Sequence, residues 1–373
     1  MKLNIVIVGL SLSSSWGNGH ATTYRSLIPG LVALGHSVHF LERDVRWYAA
    51  HRDLPRPTFC ELSYYNSIAE LSDRFGRLIA RADAVIIGSY VPDGVQVIDA
   101  IAAMSPQQLS FYDIDTPVTL AKLRAGDEEY IARRQVPLFD TYFSFSGGPT
   151  VTRLEREFGA RRAAALYCSV DPERYAPTGE PIAWDLGYLG TYSSDRQPIL
   201  ERLLLEPARR LPHMRFVVAG PMYPETIDWP DNVERIDHLP PSEHASFYSR
   251  QRFTLNVTRA DMRAAGWSPS VRLFEAAATG TPIISDTWPG LTDLLPAPSA
   301  IQLAEQPDDV VGVLTEVSAA SRRRMAETAR SLVLRGHTGT ARARELVEGL
   351  TQHRPLRDFP SDIEFQIEEK ATT

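Results

Sequence analysis

The chain has 373 residues, enough for two ordinary domains with sizeable cores, and its 43% hydrophobic and 23% charged content is that of a soluble globular protein. Thirty-nine Lys and Arg against 46 Asp and Glu give a net charge of −7, which argues against a sequence-independent nucleic-acid binder while leaving room for a local basic pocket. Two cysteines, Cys60 and Cys168, lack metal-ligand spacing; they exclude a disulfide scaffold and suit a reducing cytoplasm, and no apolar run approaches the ~20 residues of a membrane span.

The opening M-K-L-N-I-V-I-V-G-L-S has the outline of a signal peptide. Its apolar core is short and runs into a glycine-rich loop, so Leu3 to Val8 reads as a first buried parallel strand. The loop from Gly9 to Thr23 is too rich in glycine and serine to be core. A helix over about Tyr24 to Leu34, closed by Gly35, and a strand from Ser37 to Leu41 complete a β–α–β start, which implies a doubly wound α/β domain. Such folds bind ligands at the carboxyl ends of their strands. Gly17 and Gly19 would let backbone approach a ligand there, and His20, at the helix start, is either a ligand group or a cap. Gly17-Asn18-Gly19 also begins a G-x-G-x-x-G fingerprint whose third position is Thr22, and Glu42 ends the second strand where a ribose-binding acid would sit. A nicotinamide-dependent oxidoreductase is therefore the rival enzyme class.

Arg43 to Ser72, with Pro55 and Pro57, reads as loop plus a short helix. Ala84 to Gly88 is a strand, Gly94 to Met104 a helix, and Gln108 to Tyr112 a strand that ends in Asp113-Ile114-Asp115-Thr116-Pro117. Two acids at this spacing resemble the D-x-D metal motif of single-domain GT-A enzymes; Asp115 either faces a cleft or caps the helix that starts near Pro117. Thr141 to Ser144 is a strand leading into Ser146-Gly147-Gly148-Pro149, and a helix follows over about Val151 to Phe158.

The second half restarts the pattern. Strands are expected at Asp185 to Leu189, Arg215 to Ala219, Val233 to Ile236 and Phe253 to Val257. Helices are expected at Pro198 to Arg210, Ser242 to Ser249, Leu303 to Ser318 and Arg322 to Arg335. Arg196, Arg259 and Arg272 all follow strands of this half, and three arginines near one crevice could neutralise a diphosphate, although any one of them could be a surface residue. Gly190 and Thr191 could bring backbone and a hydroxyl to the same phosphates.

The stretch Trp267 to Asp286, W-S-P-S-V-R-L-F-E-A-A-A-T-G-T-P-I-I-S-D, organises the chain. Ser268 suits an N-cap, Pro269 a first helical position, Gly280 the residue past the end, and Ile283-Ile284 a buried strand. The helix start with Ser268 and Ser270, its N–H groups free and its dipole end positive, suits a pyrophosphate. Glu275 is either a solvated residue, a structural partner of Arg272, or a carboxylate that grips two vicinal hydroxyls such as those of a ribose.

This stretch resembles the donor-binding segment of GT-B glycosyltransferases, most closely the spore-maturation CgeB-like branch. The linker-like A-L-Y-C-S-V-D-P-E-R-Y-A-P over 165–177 and H-T-G-T-A-R-A-R-E-L-V-E-G over 337–349 are similar to further segments of that family. In family 4 of these enzymes a Glu eight residues before the nucleotide-binding Glu completes E-x7-E; here that position is Trp267, so Glu275 carries over and the sugar-contacting Glu does not. The resemblance implies two Rossmann-like doubly wound α/β domains facing a cleft. Residues 1–167 would be the acceptor side, 168–181 the linker, 182–350 the nucleotide-sugar side, and 351–373 a tail that could return to the first domain. It implies metal-independent transfer of a sugar from a nucleotide diphosphate sugar to a hydroxyl of a small molecule, glycan or peptide, with no cofactor. His20 and Asp115 are then the candidate groups that activate the acceptor, and the arginines serve the leaving group. The non-enzyme rival, made conceivable by Trp267, is a nucleotide-sugar-binding protein without chemistry.

Overall fold

The strand β1 (Asn4–Gly9) shows why the first half folds as it does. Successive strand residues point to opposite faces, and here both faces are covered. Val6 and Val8 enter one buried cluster, while Ile5 and Ile7 enter another on the far side. A strand buried on both faces must be apolar throughout, which is what the sequence shows. The computed structural model describes residues 2–16 and 19–352; Gly17 and the tail from 353 to 373 lie outside the described residues.

The chain continues through α1 (His20–Ala33), β2 (Ser37–Arg43), α2 (Arg46–Ala49), β3 (Glu61–Tyr65), α3 (Ile68–Arg81), β4 (Ala84–Gly88), α4 (Gly94–Ala103), β5 (Leu109–Asp113), α5 (Thr116–Arg124), β6 (Thr141–Ser144), α6 (Pro149–Glu157) and β7 (Ala163–Ala165). The seven strands form one parallel sheet in the order β3-β2-β1-β4-β5-β6-β7. Segment 43–72, expected as loop plus a short helix, holds that short helix as α2 and contributes in addition the edge strand β3 and the start of α3. The edge strand is only partly buried, so it carries no continuous apolar run. The helix is set by Ser67, whose side chain accepts from the Glu70 N–H at 3.1 Å, and by Leu71, Phe75 and Ile79 at four-residue spacing. Such a cap contributes about 1 kcal/mol.

The second half runs β8 (Trp184–Leu189), α7 (Gln197–Leu200), a π turn (Glu201–Leu205), α8 (Glu206–Arg210), β9 (Phe216–Ala219), β10 (Val233–Ile236), α9 (His244–Ser249), β11 (Gln251–Asn256), α10 (Ala260–Ala265), α11 (Val271–Ala278), β12 (Ile283–Ser285), α12 (Leu291–Leu294), β13 (Gln302–Leu303), α13 (Pro307–Glu316), α14 (Ala319–Gly336) and α15 (Gly339–Thr351). Six strands form a second parallel sheet, β10-β9-β8-β11-β12-β13. The single helix expected over 198–210 is interrupted in its middle. Pro207 has no N–H to donate and its ring clashes with the carbonyl four residues back, so the turn before it widens to the π form. Leu303, expected to open a helix, ends β13 instead.

In each sheet the strand order reverses at one place, between β1 and β4 and between β8 and β11. Connections there leave in opposite directions and open a crevice at the carboxyl ends. Those two carboxyl edges face each other. Loop 146–148 after β6 meets loop 267–268 before α11: Ser146 Oγ donates to Ser268 Oγ at 2.9 Å and Gly147 N to Trp267 O at 2.8 Å.

The halves are also joined at their other side. α15 packs on α1, and Ala343, Leu346 and Leu350 enter the core beside β1. Gly30 and Gly339 make this crossing: a Cβ on either would overlap the backbone of the opposite helix. Val170 N donates to His337 O at 3.0 Å and Arg342 Nε to Cys168 O at 3.3 Å, so the strands of chain that pass between the halves brace each other.

Candidate active site

At the first carboxyl edge, the loop after β1 is pinned by Glu42. This fully buried carboxylate accepts from Leu12 N at 2.7 Å, Ser13 N at 2.9 Å and Ser13 Oγ at 2.5 Å. A buried charge needs such partners, and these are supplied by the loop itself. Glu42 therefore holds the loop and is not presented to a ribose, which removes the residue that favoured a nicotinamide site.

The pinned loop leads to Gly19, the N-cap residue of α1, and to His20, its first residue. His20 does not cap. Its Nε2 meets Asp115 Oδ2 at 2.8 Å, and its ring lies edge-on to Tyr90 with centroids 6.0 Å apart. Asp115 stands at the N-cap position of α5 but makes no side-chain capping bond. Both alternatives that made these residues simple caps are thus corrected: the side chains are engaged with each other. The companion acid Asp113 points into the core, where it accepts from Tyr142 Oη at 2.7 Å, Thr119 Oγ1 at 2.7 Å and Asp115 N at 3.2 Å. Burial pushes its carboxyl up to about 7, against the pull of the Tyr142 and Thr119 hydrogen bonds. Among the described residues, no group of three or more His, Cys, Asp and Glu is placed to hold a metal.

At the second edge, Gly190 and Thr191 follow β8. Gly190 O accepts from Tyr223 Oη at 3.0 Å, and Thr191 O accepts from Arg196 Nη2 at 2.6 Å. Arg272, in the first turn of α11, donates to Val257 O at 3.2 Å and lies over the Tyr188 ring. Among the described residues neither Arg196 nor Arg272 has a carboxylate partner. Burial, and then the charge of Arg272, hold the Arg196 guanidinium below its ordinary range. Arg259 lies at the rim, more than half exposed and 3.9 Å from Asp195.

Ser268 is not the helix cap. α11 begins at Val271 with Ser270 in the N-cap position. The reason is that the Ser268 hydroxyl is committed across the junction to Ser146, which keeps Pro269 and Ser270 outside the helix. Ser270 Oγ donates to Asn256 Oδ1 at 2.9 Å rather than capping. Gly280, at φ 72°, ends the helix as expected. Glu275 is buried, so it is not a solvated residue, and it is not ion-paired with Arg272. Tyr248 Oη donates to it at 3.2 Å. This carboxylate already accepts from a hydroxyl.

Three features escaped the sequence reading. Helix α10 carries no buried residue and no apolar period, so nothing marked it; it packs on α5 across the cleft. It brings Arg263 within 3.4 Å of Asp286, the last residue of the organising stretch. Asp286 is buried, accepts from Thr258 N and Oγ1 on Oδ1, and its carboxyl is pushed up to about 6 by burial. Trp267 is the third feature. Its ring packs on Gly148 of the first half and Gly290 of the second, both at positive φ, and a Cβ on either glycine would overlap the indole. The indole N–H donates to Asp293 at 2.9 Å.

Residues 196–348 match a protein-family model described as glycosyl transferase-like. Solved structures share the whole architecture. An alpha-glucosyltransferase in complex with UDP and a 13-mer DNA containing a HMU base superposes with a TM-score of 0.70 at 14% identity, covering 94% of this chain and 100% of that one. HepE of Anabaena, in complex with UDP and glucose, gives 0.65 at 11%, covering 93% and 99%. Sucrose-phosphate synthase of Thermosynechococcus elongatus gives 0.64 at 12%, covering 93% and 98%. No curated protein matches the chain in sequence. Two parallel doubly wound sheets with facing carboxyl edges make this a GT-B fold. With the matched domain in its second half, the chain is a glycosyltransferase. Among the described residues no helix is long and apolar enough to cross a membrane.

Proposed function

We propose that this enzyme moves a sugar from a nucleotide diphosphate sugar, held at the second carboxyl edge, to an acceptor hydroxyl at the first. The observation that carries the reading is the pair Arg196 and Arg272. Two like charges share one crevice, each hydrogen-bonded to backbone carbonyls, with no carboxylate between them. Cations arranged this way are complementary to a diphosphate and to the charge that develops as it leaves. Gly190, Thr191, Ser270 and the start of α11 line the same side, with Arg259 at its rim; Gly19 and Ser268 are assigned to the donor's cleft wall. Glu275, already a hydroxyl acceptor, would take the ribose diol.

On this reading residues 1–167 form the acceptor domain, 168–181 the linker and 182–350 the donor domain, and the chain is a CgeB-like member working in the reducing cytoplasm, where Cys60 and Cys168 stay as free thiols. HepE and the alpha-glucosyltransferase were solved with UDP, which supports a nucleotide donor here. His20 and Asp115 form the acid–base pair of the acceptor side, and the arginines replace a divalent metal at the leaving group.

Thermal shift with UDP, GDP and dTDP tests the donor side. A ligand at ~100 times its Kd should stabilise the fold by about 2.7 kcal/mol. Turnover of the matching nucleotide sugar should survive EDTA. No shift with any nucleotide, or activity restored only by Mn²⁺ or Mg²⁺, would overturn the respective half of the proposal.

A further inference from the structure

The His20–Asp115 pair has an inner and an outer member. The His20 side chain is 7% exposed and that of Asp115 is 34% exposed. With Nε2 on Asp115 Oδ2, the remaining imidazole nitrogen is Nδ1, and it is buried with no hydrogen-bond partner among the described residues. A lone pair sealed from solvent does not meet an incoming hydroxyl. Asp115 is differently placed. Its Oδ2 is shared by His20 and, at 3.4 Å, by Ser89 Oγ, and among the described residues no hydrogen bond reaches Oδ1. The carboxylate is also held from behind: Asp115 N donates to Asp113 Oδ1 at 3.2 Å, and Asp115 O accepts from Thr119 N at 3.0 Å. A fixed, half-exposed carboxylate with one oxygen spoken for and one open is built to receive a proton from the open side.

Resting on the proposed transfer reaction, we infer that Asp115 is the group that touches the acceptor, and that His20 is a positioning residue acting through it. The acceptor O–H donates to Asp115 Oδ1. As its oxygen bonds to the anomeric carbon of the donor sugar, the bond from that carbon to the diphosphate oxygen breaks. The electron pair leaves with the nucleoside diphosphate, beside Arg196 and Arg272, and the hydroxyl proton ends on Asp115. His20 donates Nε2–H to Oδ2 throughout. It orients the carboxylate and leaves the lone pairs of Oδ1 for the acceptor.

The test has two parts on the full chain. The first needs no turnover: diethyl pyrocarbonate labelling read by peptide mass mapping. His20 should react at least about tenfold more slowly than the exposed His213 and His238; labelling at their rate would overturn the sealed geometry and the inference with it. The second part follows UDP release from UDP-glucose with water as the acceptor, beside UDP affinity. Asp115→Asn should lose about a hundredfold or more with UDP binding intact, since a general base contributes about 10²–10⁴-fold. His20→Gln should stay within about tenfold of wild type and well above His20→Ala, because an amide N–H can replace the imidazole donor but cannot accept a proton. Loss as deep in His20→Gln as in His20→Ala, with Asp115→Asn retaining more than either, would make His20 the base and sink the assignment. Failure of the underlying reading looks different: wild-type protein that releases no nucleotide from UDP-glucose, GDP-mannose or dTDP-glucose, while His20 still labels slowly, overturns the transfer reaction and therefore the catalytic role of Asp115.

Discussion

The two carboxyl edges are built from the same fold yet satisfied in opposite ways. At the first edge the buried acids have found their partners within the protein. Glu42 holds the loop after β1, and Asp113 holds Tyr142, Thr119 and the backbone of Asp115. At the second edge charge is left over. Among the described residues the hydrogen bonds of the Arg196 and Arg272 guanidinium groups go only to carbonyls, and Asp286 keeps one oxygen, Oδ2, without a hydrogen bond and 3.4 Å from Arg263. A closed network makes a rigid wall; an open one holds free energy that a ligand can recover. The first edge is thus a preformed platform that presents one pair of groups, and the second is a site completed by an anion.

Removing a cation from the second edge is expected to give the largest effect. Arg272→Ala should weaken UDP binding by about 10- to 100-fold, since hydrogen bonds to charged groups contribute about 1.5–3 kcal/mol. Glu275→Ala should weaken UDP comparably through the ribose. Calorimetry that finds unaltered affinity in both folded variants would mean that the second edge is not the nucleotide site.

At the first edge the same kind of substitution should act on stability instead. Asp113→Ala strands the buried Tyr142 hydroxyl and should cost about 1–3 kcal/mol in urea unfolding. UDP affinity should stay unchanged. A variant that keeps full stability but loses nucleotide would reverse the roles of the two edges.

Much of this contrast lies beyond what a sequence displays. β1 and β4 were legible because strands covered on both faces must be apolar runs. The edge strand β3 and the polar helix α10 had no such signature. The stretch around Glu275 was readable as a helix, turn and strand, but its start was not. Two serines compete as caps, and the bond from Ser146 that decides between them comes from 122 residues away. His20 and Asp115 were each visible as strand-end residues. That they meet is a consequence of β1 and β5 both flanking β4, at a separation of 95 residues. Trp267 looked like a missing glutamate, and its packing between two glycines of different halves emerges only when the edges are brought together.

The smallest expected effect separates the edges by pH. Burial raises the Asp113 carboxyl from 3.8 to about 7 in the folded chain. Between those values the folded state keeps a proton that the unfolded state has lost. For this group stability is therefore greatest below about pH 4, falls as pH rises toward 7, and is flat above. Asp286, raised to about 6 at the second edge, adds the same sign over a narrower window. His337 opposes both: burial lowers it from 6.5 to about 4, so its contribution grows as pH rises across that interval. The Asp113 term is isolated by Asp113→Asn, which is neutral at every pH. Relative to wild type, the variant should gain stability between about pH 4.5 and 7 in urea titrations, with Asp286→Asn showing a shorter rise that ends near pH 6. Parallel curves for Asp113→Asn and wild type over that range would show that Asp113 is ionised in its network, and that the first edge is as charged as the second.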